Sequence, residues 1–263
     1  MKKDVVYQVV ESPQSPLPAG FLAQLPEIFS REGKTIYKGR NKIKVFHTKD
    51  KNGRPLTICV KKYGIPPFLN RMFYSLGVHT PKARRTYENS QKIITAGFQT
   101  PRQYGYIIGR KNVWIGETFS VGEFVENARS VGQDKKDVAL VKAFAGYTAA
   151  LHARGLMHRD YILNNILYTK NDDGYAFILI DINRFLFRSS PITGFWQAVN
   201  LMTPFYNPVE LKRFVGAYEQ AAHCPGKLVN RVLRFRRWRT RYSRLKKILK
   251  KIPGAKRISE YRV

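Results

Sequence analysis

The 263-residue sequence predicts an α+β protein with strands in its first half and helices in its second. Three observations carry that class. Apolar residues alternate through residues 34–62 and again through 104–124, with turn residues between the runs. From Asp137 the apolar rhythm changes to one of three and four residues. Hydrophobic residues at 43% and aromatics at 13% supply enough apolar material for a real core.

The elements follow in order. Residues 1–32 hold Pro13, Pro16, Pro18 and Pro26 and read as an irregular leader with a short helix near its end. Thr35–Lys38 and Ile43–Phe46 flank a Gly39-Arg40-Asn41 turn, and Asn52-Gly53 marks a hairpin before Leu56–Lys61. A helical stretch follows Pro66-Pro67. A second helix opens at Pro81 and closes at Gly97. Strands resume at Tyr104–Ile108 and Val113–Phe124. Asp137–Arg154 then reads as a long helix, from Val138, Val141, Phe144, Ala145, Thr148 and Leu151, with Gly155 in the stop position.

Charge narrows the choice of partners. Forty-seven Lys and Arg against eighteen Asp and Glu give a net +29, which calls for an anionic counterpart: nucleic acid, anionic lipid or a polyphosphorylated substrate. Two cysteines, Cys59 and Cys224, make neither a metal cluster nor a disulfide framework, which favours a reducing compartment. No signal peptide and no membrane-spanning run is expected, so the reading is cytoplasmic, with the option of lying on a membrane.

The chemistry is concentrated at His158-Arg159-Asp160-Tyr161-Ile162-Leu163-Asn164-Asn165, which fits the pattern H-R-D-x-x-x-x-N with Asp160 and Asn165 in register. A second acid, Asp181, ends the apolar strand Phe177–Ile180. The long helix precedes the loop at once. These residues resemble the protein-kinase-like superfamily over about residues 33–220. The branch that looks most similar is the lipopolysaccharide core kinases, which phosphorylate Kdo or heptose on lipid A-core. The Arg40-Asn41 turn, Thr100-Pro101 after Gly97-Phe98 and the compact chain end carry that finer resemblance.

The resemblance implies a two-lobed fold, ATP and magnesium as cofactors, and a role for each matching residue. Asp160 orients the acceptor hydroxyl and takes its proton, while Asn165 and Asp181 are metal ligands of the hard-oxygen kind magnesium prefers. Lys61, ending Ile58-Cys59-Val60-Lys61, matches the strand lysine that holds phosphates. Lys62 competes with it, because alternation puts the two on opposite faces. Glu88 is the only acid between Lys62 and Gly116 and so the only local partner for that lysine, although Thr86 stands in the usual register. Gly39 and Arg40 occupy the place of a glycine-rich loop that is otherwise missing, and Glu123 with Val125 marks a hinge whose backbone meets adenine. No activation segment with A-P-E follows Asp181, which fits a small-molecule or glycolipid kinase better than a regulated protein kinase.

Residues 226–263 carry fifteen Lys or Arg against Glu260 alone, with Leu228, Val232, Phe235, Trp238, Tyr242, Leu245, Leu249 and Ile252 recurring every three or four residues. This reads as a cationic amphipathic helix that packs on the helical part, lies on an anionic membrane surface, or binds nucleic acid. The resulting division is 1–32 leader, 33–122 nucleotide-binding, 123–225 catalytic and 226–263 basic tail. The expected function is ATP-dependent phosphorylation of a sugar of the lipopolysaccharide inner core, with a lipid A-core glycolipid as partner, at the inner face of the inner membrane. A RIO-like protein kinase, an aminoglycoside-type phosphotransferase and a non-catalytic module binding anionic surfaces are the alternatives.

Overall fold

The structure is a computed structural model describing residues 5–172, 174–224, 226 and 228–249, and the side chains of 244–249 are left out of account. In chain order its elements are β1 (Val6–Glu11), α1 (Phe21–Arg31), β2 (Lys34–Lys38), β3 (Lys42–Lys49), β4 (Pro55–Tyr63), α2 (Phe68–Ser75), α3 (Lys82–Thr95), β5 (Gln103–Lys111), β6 (Trp114–Glu123) and β7 (Arg129–Ser130). Then come α4 (Val138–Ala153), β8 (Leu156–His158), β9 (Ile166–Asn171), β10 (Gly174–Leu179), β11 (Phe185–Phe187), α5 (Gly194–Leu201), α6 (Pro208–Ala221) and α7 (Val229–Leu249). They gather into two compact units. Residues up to 129 with 165–185 form one, and 130–164 with those from 186 onward form the other.

The first unit is built on a six-stranded antiparallel sheet of order β1-β5-β6-β4-β3-β2. Period-two alternation sorts β4 between two cores. Ile58 and Val60 join Leu22, Leu25, Phe29 and Phe119 on the α1 side, whereas Tyr63 joins Ala83, Tyr106, Ile108 and Ile115 on the α3 side. The segment read as an irregular leader is not irregular. Val6–Glu11 is an edge strand, with Val6 opposite Arg110 and Glu11 opposite Gly105. Its prolines begin only at Pro13, so they leave the strand's donors intact. Pro26 lies inside α1, which buries Leu22, Leu25 and Phe29 at helical spacing. Buried Lys44 closes that helix by donating from Nζ to the carbonyls of Phe29 (2.8 Å) and Glu32.

The β9–β10 hairpin also clusters with the first unit, whereas the sequence division groups it within 123–225. Two contacts attach it: Leu179 N–H donates to Gln99 O (2.9 Å), and Thr100 Oγ1 donates to Leu179 O (2.7 Å). The Thr100-Pro101 signature therefore has a physical use, as a clasp on β10.

The second unit packs α4 against α6 through Phe144 and Phe214, stacked at 5.2 Å. Asp137 caps α4 by accepting from the N–H groups of Ala139 and Leu140 (2.9 and 3.1 Å). Gly155, at φ +73°, ends it, and a Cβ there would meet Arg188 O at 2.2 Å. The first turns of α7 are docked, with Leu228 and Val232 buried and Phe235 edge-on to Phe195 at 5.3 Å. The stripe then emerges: Trp238 and Tyr242 are 63% and 55% exposed and stack on each other. The side chains of Leu245 and Leu249, and the whole of Ile252, lie outside the described part. Buried Glu219 anchors the N-terminus of α7, accepting from Gly226 N (3.1 Å), Leu228 N and Val229 N (3.0 Å). Glu219→Ala leaves those donors bare. It should cost about 1–3 kcal/mol, read as a lower urea midpoint and earlier tryptic cleavage within α7.

Candidate active site

Lys61 and Lys62 part company at the end of β4. Lys62 turns toward the α1 side, over the Phe29 and Phe119 rings, and pairs with Glu117 at 2.5 Å. Lys61 turns to the other face, where Nζ lies 2.6 Å from Asp181 Oδ1. Burial alone would depress the Lys61 pKa, but Tyr63, Asp181 and Cys59 outweigh it and raise the pKa above the ordinary lysine value. The ammonium is therefore held charged.

Asp181 is placed by the backbone. The β9–β10 register pairs Ile166 with Leu179, and Ile180 N–H donates to Asn165 O (3.0 Å). Asn165 and Asp181 thus stand at the same open end of one hairpin. Asp181 itself adopts φ 54°, ψ 45°, a left-handed conformation that Asp tolerates better than most residues. Asn183 Nδ2 donates to its Oδ1 at 2.5 Å, and Asn89 of α3 donates to Ile182 O at 2.7 Å. Asn89 and Asn183 were missed from sequence; Asn89 lies on the buried α3 face with Ala83, Thr86, Ser90 and Ile93, the one signal that could have found it.

Glu88 requires a correction. It bonds Arg84 Nε at 2.7 Å, one turn back on the exposed face of α3, and does not reach Lys61. In its place Thr86 faces inward, with its hydroxyl 2.7 Å from Tyr63 Oη. The helix is thus joined to β4 by hydroxyl groups rather than by an ion pair, and Asp181 takes the lysine.

The Gly39-Arg40-Asn41 turn is tied down beside Lys61. Gly64 N–H donates to Asn41 Oδ1 (3.3 Å), and a Cβ on Gly64 would meet Arg40 O at 2.3 Å, so only glycine allows that approach. Glu123 ends β6 with its N–H on Arg102 O (2.9 Å), and half-buried Val125 follows. Lys82, the first residue of α3, is a further cation that sequence reasoning missed. Burial, then repulsion by Arg40, Arg85 and Lys61, lowers its pKa to about 8, with Asp181 opposing. Lys82 thus feels three cations and one carboxylate.

The second unit carries Asp160, on a loop with a rigid base. Tyr161 is buried against Phe144 and donates its hydroxyl to Thr148 (2.8 Å), which in turn donates to Phe144 O (2.7 Å). Asp160 N–H donates to His158 Nδ1 at 3.1 Å, so His158 is a structural member of the loop. A buried relay holds its carbonyl. Gln197 donates to Tyr218 Oη (2.9 Å), Tyr218 to His152 Nδ1 (2.9 Å), His152 Nε2 to Asn200 Oδ1 (2.9 Å), and Asn200 Nδ2 to His158 O (2.8 Å). Burial pushes the His152 pKa down to about 4, against the Asn200 bond, and keeps the ring neutral.

The profile of the lipopolysaccharide kinase (Kdo/WaaP) family matches residues 68–204, just over half of the chain. The protein belongs to that family. Membership makes it a phosphotransferase and a lipopolysaccharide kinase, and it favours this branch over the RIO-like, aminoglycoside-type and non-catalytic readings. A solved structure described as WaaP in complex with acyl carrier protein resembles it at TM-score 0.54 and 16% identity, over 91% of this chain and 97% of that one. That likeness shows the shared fold, so the expected kinase-like α+β class stands. The Mycobacterium tuberculosis PknI kinase domain scores 0.37 at 14% identity over 70% of this chain and 71% of its own. No curated protein sequence matches significantly.

The family's chemistry can be tested against the donors present. Among the described residues no group of three or more His, Cys, Asp or Glu could cage a metal. Asp181 and Asn165 instead offer a carboxylate and an amide at one hairpin end, hard oxygens that suit a divalent ion arriving with phosphates. The residues fit.

The cation cluster has a stability signature. Lys82 ionises less readily in the folded chain than in the unfolded one, so between pH about 8 and the ordinary 10.5 the unfolded state binds more protons and stability rises with pH. Lys82→Met should therefore raise the melting temperature at pH 7, and the gain should shrink as pH climbs through that window, as calorimetry at pH 7, 8.5 and 10 would show.

Proposed function

We propose that this lipopolysaccharide kinase transfers the terminal phosphoryl group of ATP, with magnesium, to a hydroxyl of Kdo or heptose in the inner core, working at the cytoplasmic face of the inner membrane. The observation that carries the reading is the Lys61–Asp181 pair at 2.6 Å, in a chain whose Asp160 and Asn165 keep the spacing of a phosphotransfer loop. Lys61 offers its ammonium to phosphate oxygens, with Arg40 and Lys82 adding charge where glycine amides would otherwise stand. Asp181 and Asn165 would hold the magnesium, which when bound neutralises the charge that spreads over the transferring group. Asp160 orients the acceptor hydroxyl and accepts its proton. Beside its loop the second unit has a recess of about 690 Å³ lined by Ile162, Leu163, Asn164, Lys135, Tyr206 and Glu210, which mixes donors, acceptors and a ring face as a sugar requires. The adenine end is assigned to the backbone around Glu123 and Val125.

The net charge of +29 supports an anionic, membrane-borne acceptor, as does the emerging half of α7, where Trp238 and Tyr242 stand among arginines. Among the described residues no helix is long and apolar enough to cross a membrane. Nucleic acid has no comparable support.

Transfer of labelled phosphate from ATP to purified lipid A-core tests the reading. Asp160→Ala should lower the rate by about 10²–10⁴-fold. Glu88→Ala, which removes only an exposed ion pair, should change it by less than about threefold. Absence of transfer to any core acceptor would sink the assignment.

A further inference from the structure

Helix α2 is built the wrong way round for a helix on a water-soluble surface. None of its residues is buried, yet its sequence is Phe68-Leu69-Asn70-Arg71-Met72-Phe73-Tyr74-Ser75. Two of its polar side chains, Arg71 and Ser75, bond into the protein. Arg71 Nε donates to Ile115 O (2.7 Å), while Ser75 Oγ accepts from Ile115 N (2.9 Å) and donates to Arg71 O (2.8 Å). The guanidinium of Arg71 also lies over the Trp114 ring at 5.7 Å, and Phe68 packs on that ring at 5.6 Å. Tyr74 packs against the α3-side core, but most other apolar side chains of the segment are exposed: Ile65 is 50% exposed, Phe68 68%, Leu69 41%, Phe73 38%, Leu76 70% and Val78 62%. Val113, on the β5–β6 turn beside Trp114, is 70% exposed. Scattered exposed apolar residues need no explanation, but six within fourteen positions on one short segment do.

We infer that α2 with its flanking residues 65–78 and the tip of the β5–β6 hairpin is the surface that enters the interfacial layer of an anionic lipid bilayer. Charge selects the bilayer over a second copy of the chain. Between Lys62 and Gly116 stand eight Lys and Arg and one acid, Glu88, with Arg110 and Lys111 close to Val113. A second protomer would bring the same cations to the contact, whereas anionic headgroups neutralise them. Rings and long aliphatic side chains beside cations are the composition that partitions to the headgroup boundary. Anchoring through Arg71, Ser75 and the core-packed ring of Tyr74 explains how the helix keeps its place while its outer apolar face stays exposed. The inference rests on the membrane-face reading above and names a surface that performs it.

Flotation with phosphatidylglycerol/phosphatidylethanolamine vesicles, against phosphatidylcholine vesicles, tests this on the full chain. Wild type should float with the anionic vesicles and remain partly bound at 0.5 M salt, where screened charge alone would release it. The double variant Phe68→Ser with Leu76→Ser should lose about tenfold or more in partitioning. Both side chains are largely exposed, so its melting temperature should match wild type. Equal flotation of variant and wild type overturns the inference. So does a wild-type dimer in solution that the variant breaks while vesicle binding persists, since that assigns the face to a second copy. Phosphorylation of an acyl-free core oligosaccharide separates this test from that of the function. Activity retained there with flotation unchanged rejects the surface alone; flotation lost with no core acceptor phosphorylated supports the surface and rejects the function.

Discussion

The active arrangement of the first unit depends on one ion pair between residues 120 apart in sequence, Lys61 on β4 and Asp181 after β10. A lysine whose side chain is only 15% exposed must keep an anionic partner or lose its charge. Asp181 supplies that anion and is itself presented by a left-handed backbone that an unsupported chain would seldom adopt. Each half therefore stabilises an otherwise costly state of the other. Asp181 is 35% exposed, so the pair is partly wet and its carboxylate remains accessible.

Around this pair α3 works as a brace. Where the related pattern would place a glutamate facing the lysine, this helix presents Thr86 to Tyr63 and Asn89 to the Ile182 carbonyl. Neutral hydrogen bonds hold geometry without competing for the lysine's charge. The Thr100–Leu179 bond fixes the strand that leads to Asp181. In the second unit the relay from Gln197 to His158 plays the same part for the loop of Asp160, again with neutral groups. Asp181 and the loop of Asp160 are thus both positioned largely by uncharged bonds.

Much of this was legible because local spacing fixes it. The interval from Asp160 to Asn165 is local in sequence, and the strand before Asp181 reads as apolar because it buries Phe177 and Leu179. Alternation alone says only that Lys61 and Lys62 oppose each other, so the preference for Lys61 comes from the motif, and the position of α1 decides which face is which. Glu88 misled because scarcity of acids was used in place of direction; its partner Arg84 four residues earlier marks an exposed pair. The strand Val6–Glu11 was hidden by the prolines that follow it. Lys82 carries no sequence signal at all, because its environment is made by Arg40, Lys61 and Arg85 arriving from three different places in the chain.

That convergence sets cations beside the Gly39-Arg40-Asn41 turn, where a glycine-rich loop is missing. Glycine amides bind phosphate because they are fixed, close and carry partial positive charge. A turn tied to Gly64, a strand-end lysine and the first residue of a helix provide fixed, close cations by other means. The cost appears as mutual repulsion, visible in the depressed pKa of Lys82. Asp181 alone among the groups acting on Lys82 opposes it, and one carboxylate does not balance four cations. An anion placed among these cations would relieve that repulsion, and Lys82 would then ionise more readily. The same logic extends to the chain as a whole: a net charge of +29 disfavours the isolated molecule and favours whatever anionic surface it meets.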